Sequence, residues 1–203
     1  IEVNVVHGYL VDQFFWEGTN QRDDQYGGSL ENRTRFGVEI VEAIRQAVGQ
    51  DFTIIFRFSQ WKQQDYNAKL CQTPEELGTF LTLLSDAGVD VFHASTRRFW
   101  VSEFEGSDLG LAGWTKKLTN KPVIAVGNVG LDADFIGEGN ADLSGTSNPT
   151  GIDKLLERLD NDEFDLVAIG RALLVDANWV NKIEHNNIAD IKPFNKKSLM
   201  SLS

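Results

Sequence analysis

Five short apolar segments, each followed by a helical pattern, are the feature that most constrains how this chain can fold. The segments are rich in Val, Ile and Phe and are bounded by turn residues, which is typical of buried strands. Strands that alternate with helices form a parallel sheet with right-handed crossovers. The pattern therefore predicts an α/β fold with strands at residues 1–6, 53–58, 89–94, 122–126 and 166–170.

Helical patterns lie between the predicted strands. Apolar residues recur every four positions from Phe36 to Val48, and Gly49 follows as a C-terminal cap. Thr73 is expected to be the N-cap of a second helix, because a proline and a capping-box carboxylate follow it in the first turn. This helix is expected to end near Gly88. The other predicted helices lie at 109–118, at 151–159 after a Gly-, Ser- and Asn-rich stretch at 137–150, and after Asp176, which should cap a helix reaching residue 183.

Composition limits the classes of partner. A single domain over 1–203 is the natural expectation for this length. The net charge of −11 argues against nucleic acid and against an anionic membrane surface, because both require clustered Lys and Arg. The single cysteine, Cys71, excludes an internal disulfide and fits a reducing compartment, so we expect a cytoplasmic location.

Polar residues collect at the carboxyl ends of the predicted strands, where parallel α/β folds place their chemistry. Taken alone, a histidine here is more often structural, and a buried arginine can simply pair with a carboxylate. Five strand ends that all carry such residues nevertheless indicate a site. The residues concerned are Asn4, His7 and Tyr9, then Arg57, then Ser95, then Gly127 and Asn128, and finally Gly170 and Arg171.

The strand and helix pattern leaves two architectures open. A five-stranded doubly wound sheet fits about as well as part of a (β/α)8 barrel. A flavodoxin-like binder of the first kind needs phosphate contacts in the first strand–helix loop, where this chain has the bulky Gly8-Tyr9-Leu10.

A motif between the first two predicted strands separates these architectures. The pattern Asn-x-Arg-x-Asp-x-Tyr-Gly-Gly-Ser is matched in order by Asn20, Arg22, Asp24, Tyr26, Gly27, Gly28 and Ser29, and His7-Gly8-Tyr9-Leu10 lies upstream. This combination resembles the old yellow enzyme family of flavin-dependent ene-reductases, and the resemblance spans essentially the whole chain. It implies a (β/α)8 TIM barrel of which this chain contains strands 4–8. The motif itself is expected to form a turn into a helix and to have no catalytic role.

The resemblance also implies a substrate site. Asn4 and His7 would donate hydrogen bonds to the carbonyl or nitro oxygen of an activated alkene, where charge develops as hydride adds. Tyr9 would deliver the proton as a general acid. The family most often has His at the position of Asn4, so this chain departs from the pattern there.

The implied cofactor is FMN, with NADH or NADPH as reductant. Arg57 would lie near the N1–C2 carbonyl of the flavin and stabilise its anionic reduced form. The phosphate would be bound by Gly127, Asn128, Gly170 and Arg171. We expect no metal, because larger relatives hold an iron–sulfur cluster with cysteines after strand 8 and no Cys follows Gly170.

The sequence therefore predicts an FMN-dependent oxidoreductase that passes hydride from NADH or NADPH through flavin to electron-poor alkenes. The alternative is an inactive truncated fragment, or a half-site that binds phosphate or FMN without catalysis. The uncovered edge strands of a partial barrel can pair with another chain. The alternative partners are therefore a second copy of this chain, in a homo-oligomer, and an amino-terminal half-barrel. The aromatic, basic loop at 95–107 is left outside the predicted site.

Overall fold

The computed structural model describes residues 1–132, 146–147 and 149–200, so most of the loop predicted at 137–150 lies outside the described residues. The strands are β1 (Glu2–His7), β2 (Ile55–Lys62), β3 (Val91–Ser95), β4 (Val123–Val126), β5 (Thr146–Ser147), β6 (Leu166–Val167) and β7 (Phe194–Asn195). One parallel sheet has the order β1-β2-β3-β4-β6, and β5 pairs with β7 in a separate antiparallel ladder. The predicted five-stranded parallel sheet is confirmed.

Helices connect these strands. They are α1 (Leu10–Phe15), α2 (Leu30–Val48), α3 (Pro74–Ala87), α4 (Leu111–Thr119), α5 (Ile152–Asp160), α6 (Arg171–Val175) and α7 (Trp179–Glu184), with 3-10 turns at Ile188–Asp190 and Lys196–Leu199. The Thr73 hydroxyl caps α3 by accepting from the Glu76 amide, and Gly88 ends α3 in the left-handed region, as predicted. None of the helices in the described part of the chain has the length and apolar character needed to cross a membrane.

The expectation for Asp176 is wrong. Asp176 is the residue that ends α6, and α7 begins after Asn178. Its buried carboxylate accepts from the backbone amides of Asn178 and Lys192 and lies 2.6 Å from the Lys182 ammonium. The carboxylate therefore ties the segment after the sheet together instead of starting a helix.

The two faces of the parallel sheet have different environments. Phe58 of β2 aligns with Val5 and Ala94 in a buried row that belongs to the core under the helices. The neighbouring row on the other face contains Asn4 and Arg57, which pair directly in register. Asn4 lies within β1, and β2 continues to Lys62, four residues beyond its predicted end, so neither Asn4 nor Arg57 is at the carboxyl end of its strand.

The Tyr-Gly-Gly-Ser motif is scaffold, as predicted. Ser29 is the N-cap of α2 and accepts a hydrogen bond from the Asn32 amide. The buried side chain of Asn20 donates to the carbonyl oxygens of Phe14 and Tyr26, at 2.6 and 2.7 Å, and so holds the loop before the motif in place. These bonds fix the approach of the chain to α2.

Gly27 and Gly28 offer a matched test of this scaffold. A Cβ at Gly27 would overlap the backbone carbonyl of Arg22, whereas a Cβ at Gly28 would meet nothing within 4 Å and only suffer a φ of +80°. We expect Gly27→Ala to lower the free energy of unfolding by about 2–3 kcal/mol, because backbone must shift, and Gly28→Ala by about 1 kcal/mol. Urea unfolding of both variants checks this, and equal losses would contradict it.

Candidate functional site

A cleft of about 300 Å³ opens at the carboxyl ends of β1 to β4. Its volume is at the lower end of the range for small-molecule pockets. Its lining includes predicted site residues from four separate stretches of the chain, namely His7, Arg57, Gly127, Asn128 and Arg171. The chain therefore brings together five of the eight residues to which the sequence assigns a substrate or cofactor role, and the strand-end residue Ser95 lines the same cleft.

His7 lies at a bulge where β1 leaves the sheet. Its φ is 59°, and the pairing with β2 shifts between Val5 and His7. The imidazole stacks on Trp61 with 4.1 Å between ring centroids, and its Nε2 is 3.0 Å from the Ser95 hydroxyl. Burial, followed by the positive charges of Arg57 and Lys62, lowers the pKa of His7 to about 4. His7 is therefore a neutral imidazole at pH 7.

This depressed pKa predicts a loss of stability in mild acid. An unfolded chain binds a proton at His7 below pH 6.5, the unperturbed value, whereas the folded chain binds it only below about pH 4. The free energy of unfolding should therefore fall as the pH drops from 6.5 to 4. His7→Asn, which suits the positive φ, should show a shallower fall in this window, and the same slope in both proteins would contradict the assignment.

Arg57 has a buried donor without a partner. Its Nη2 donates to the Ser95 hydroxyl at 3.2 Å, while its buried Nε makes no hydrogen bond. No ion pair involving Arg57 occurs among the residues that the structure describes, so pairing with a carboxylate does not explain the burial of this Nε. Buried donors are normally satisfied, and an acceptor on a bound ligand would complete this one.

The end of β4 approaches the end of β3 very closely. Gly127 has a φ of +147°, and a Cβ there would overlap the Thr96 hydroxyl and lie 2.6 Å from the Thr96 carbonyl oxygen. Asn128 follows in the left-handed region with a φ of 47°. Its side-chain oxygen accepts from Arg171, whose guanidinium lies 5.4 Å from the Phe194 ring centroid. These contacts hold Arg171 at the cleft.

Three of the predicted residues are not in the lining of the cleft. Gly170 is the residue before α6, and a Cβ there would meet nothing within 4 Å. Asn4 is exposed on the open face of the sheet. Tyr9 precedes α1 and is 57% exposed.

Several lining residues were not predicted. Trp61 lies in the unforeseen extension of β2 and Tyr66 follows it. Thr96 and Arg97 come from the loop at 95–107 that the sequence left outside the site. The Arg97 guanidinium lies 4.0 Å from the Tyr66 ring centroid. These four residues also line an adjoining cleft of about 450 Å³. The aromatic and basic composition of the loop was the available signal.

A buried ion pair supports the His7 bulge from below. The Lys62 ammonium lies 2.7 Å from one oxygen of Asp12, and neither side chain is exposed. The other Asp12 oxygen accepts from the Gly8 amide at 2.6 Å. The pair therefore connects the end of β2 to the turn that carries His7. Within the described residues, no cluster of three His, Cys, Asp or Glu side chains is arranged to hold a metal ion.

A parallel sheet whose strand ends line one cleft occurs in (β/α)8 barrels and in doubly wound folds, and comparison with solved structures identifies the barrel. The chain is similar to an old yellow enzyme homologue from Zymomonas mobilis, with a TM-score of 0.71 and 17% identity over 100% of this chain and 50% of that one. The fold is therefore part of such a barrel.

The family follows from the sequence comparison. A family model described as NADH:flavin oxidoreductase / NADH oxidase matches residues 1–190. The chain belongs to this family, the old yellow enzyme family, whose cofactor is FMN with NADH or NADPH as reductant.

Two relatives show how much of a whole protein this chain represents. It is 35% identical to an NADH oxidase of Thermoanaerobacter brockii over 95% of this chain and 27% of that protein. It is 32% identical to an NADPH dehydrogenase of Clostridium acetobutylicum over 97% of this chain and 52% of that protein. The chain thus spans between about a quarter and about half of the length of these relatives.

Proposed function

We propose that this chain forms the FMN-binding part of an oxidoreductase that passes hydride from NADH or NADPH to electron-poor alkenes, such as α,β-unsaturated carbonyl and nitro compounds. One observation carries the proposal: His7, Arg57, Gly127, Asn128 and Arg171 line a single cleft at the strand ends. Family membership and the names of the two relatives support the reaction class.

The residues present fit FMN. When bound, FMN supplies the redox chemistry by accepting a hydride from the nicotinamide and donating it to the alkene. The unpartnered Nε of Arg57 suits an acceptor on the flavin ring. Arg171, together with the backbone at Gly127 and Asn128, suits the phosphate, because a guanidinium and closely approached amides both bind phosphate oxygens.

His7 suits the oxygen of the alkene's activating group. It is neutral at pH 7, so it can donate one hydrogen bond without bringing a positive charge into the cleft. The proposed roles of Asn4 as a second donor and of Tyr9 as the proton donor rest on the resemblance, since neither residue lines the cleft.

The test is turnover by the FMN-loaded chain. We expect oxidation of NADH or NADPH to accompany reduction of 2-cyclohexenone. Tyr9→Phe should lower kcat by about 10²-fold, the usual effect of removing a proton donor, and leave the flavin absorption spectrum unchanged. Tyr26→Phe is the matched control, because its hydroxyl donates to the Glu39 carboxylate on α2 and Tyr26 is not in the cleft lining. Full activity in Tyr9→Phe would remove Tyr9 from the mechanism.

A cofactor half-site without catalysis is the second candidate, and the exposure of Asn4 and Tyr9 favours it. It predicts FMN binding without reduction of the alkene. Addition of an amino-terminal half-barrel, or assembly into a homo-oligomer, would then be needed for turnover. These partners and a cytoplasmic location stay predictions.

A further inference from the structure

Ser95 connects two half-buried residues of the cleft lining, His7 and Arg57. It is the last residue of β3 and is 2% exposed. Its hydroxyl oxygen is 3.0 Å from Nε2 of His7 and 3.2 Å from Nη2 of Arg57. One buried hydroxyl thus bridges His7 at the end of β1 and Arg57 within β2.

The direction of these hydrogen bonds follows from the chemistry of the three groups. A guanidinium only donates, so Ser95 must accept from Arg57. The serine proton then needs an acceptor, and among the residues that the structure describes the remaining hydrogen-bond partner of this hydroxyl is Nε2 of His7. If Nε2 carried a proton instead, the hydroxyl proton of Ser95 would be buried without an acceptor, which is unfavourable.

The electrostatic environment also favours a hydrogen bond donated by Ser95 to His7. The positive charge of Arg57 polarises the hydroxyl that it contacts and makes its proton a stronger donor. Burial and this charge also lower the pKa of His7, so the imidazole keeps one nitrogen free to accept. The other nitrogen, Nδ1, has no hydrogen-bond partner among the described residues, and His7 lines the cleft.

We propose that Ser95 is a positioning residue that fixes His7 as the Nδ1–H tautomer, so that the imidazole offers a single donor, Nδ1–H, to an acceptor oxygen in the cleft. The tautomer follows from the hydrogen-bond geometry alone. That the Nδ1–H donor binds a carbonyl or nitro oxygen of the substrate rests on the proposed function. Arg57 therefore acts on His7 through Ser95, which links the flavin end of the cleft to the substrate end.

Nitrogen-15 NMR of the imidazoles tests this directly, because protonated and unprotonated ring nitrogens have well-separated shifts. The chain has three histidines, and His7→Asn identifies the signals of His7. At pH 7 we expect a protonated Nδ1 and an unprotonated Nε2. A protonated Nε2 in the unmodified chain would overturn the inference, and this measurement needs no variant of Ser95.

Two matched serine variants separate positioning from general destabilisation. Ser95→Ala should return His7 to a mixture of tautomers, seen as averaged shifts of both nitrogens. Ser59→Ala removes an equally buried hydroxyl that accepts from the backbone amide of His7 at 2.9 Å and does not touch the ring. It should leave the tautomer unchanged, and an unchanged tautomer in Ser95→Ala would overturn the role of Ser95.

The outcome is independent of the proposed reaction. A Nδ1–H tautomer without reduction of 2-cyclohexenone would sustain the role of Ser95 and count against the proposed function. Reduction of 2-cyclohexenone by a chain whose His7 is protonated on Nε2 would do the reverse.

Discussion

Lys62→Met is expected to lower the free energy of unfolding by about 3–5 kcal/mol at pH 7, the usual cost of removing one partner of a buried ion pair. The ammonium of Lys62 and the carboxylate of Asp12 are both fully buried and 2.7 Å apart. Without Lys62, the carboxylate would keep its bond from the Gly8 amide but have no cation beside it in the described part of the chain. An unpaired buried charge is the source of the loss.

The loss of unfolding free energy in Lys62→Met should depend on pH. Burial already raises the pKa of Asp12, although Lys62 opposes this. In Lys62→Met the opposing charge is gone, so the pKa of Asp12 rises further and its protonated form is favoured in the folded state. A group with a raised pKa stabilises the folded state below its unfolded pKa and loses that effect as pH rises. The variant should therefore lose stability, relative to the unmodified chain, as the pH increases from 4 to 7.

A double variant and an exposed pair provide the controls. Lys62→Met combined with Asp12→Leu should recover most of the loss, because two apolar side chains leave no buried charge. Lys116→Met breaks the 2.6 Å pair with the partly exposed Asp165 and should cost no more than about 1 kcal/mol. Urea unfolding measures all three, and a loss in Lys62→Met no larger than in Lys116→Met would contradict the buried pair.

Arg171→Met is expected to weaken FMN binding by about 10² to 10³-fold, the cost of removing a charge that pairs with a phosphate in an enclosed site. The Asn128 side chain and the Phe194 ring position the guanidinium at the cleft. Riboflavin, which lacks the phosphate, should bind both proteins equally. The same measurement on FMN and riboflavin therefore isolates the phosphate contact.

Arg57→Met is the complementary variant. Because its unpartnered Nε suits an acceptor on the flavin ring, its loss should weaken FMN and riboflavin to a similar extent, by about 10-fold. Lys154→Met, which removes one positive charge from the exposed side of α5, should change neither affinity. Equal effects of Arg57→Met and Arg171→Met on riboflavin would contradict the assignment of the phosphate end.

Local patterns were sufficient for most of the fold. The strand positions, the Thr73 cap and the left-handed Gly88 are encoded by neighbouring residues and by apolar periodicity. The pattern in α2 was less informative: its apolar residue Val48 is 37% exposed, while Arg45 is buried. Arg45 donates to carbonyl oxygens of the following turn and of Gly88, which lies 43 residues away. Such contacts depend on tertiary packing, which periodicity does not include.

In the candidate site too, local patterns predicted single residues but not the tertiary contacts between them. The motif matches identified His7 and Arg57 one at a time. The hydrogen bonds that connect them run through Ser95, which lies on a third strand, β3. The position of His7 also depends on the extension of β2 to Lys62. Lysine is almost never buried without a partner, and the partner, Asp12, lies 50 residues earlier. No local pattern contains this pairing.

Titration of the 203-residue chain with FMN is the most direct test of the central claim, that the cleft at the strand ends binds this cofactor. Flavin fluorescence reports binding, and far-ultraviolet circular dichroism of the same sample reports whether the chain is folded. We predict saturable binding of one FMN per chain, with a dissociation constant that Arg171→Met raises. A folded chain that shows no saturable binding up to about 100 μM FMN, equivalent to about −5.5 kcal/mol, would contradict the claim.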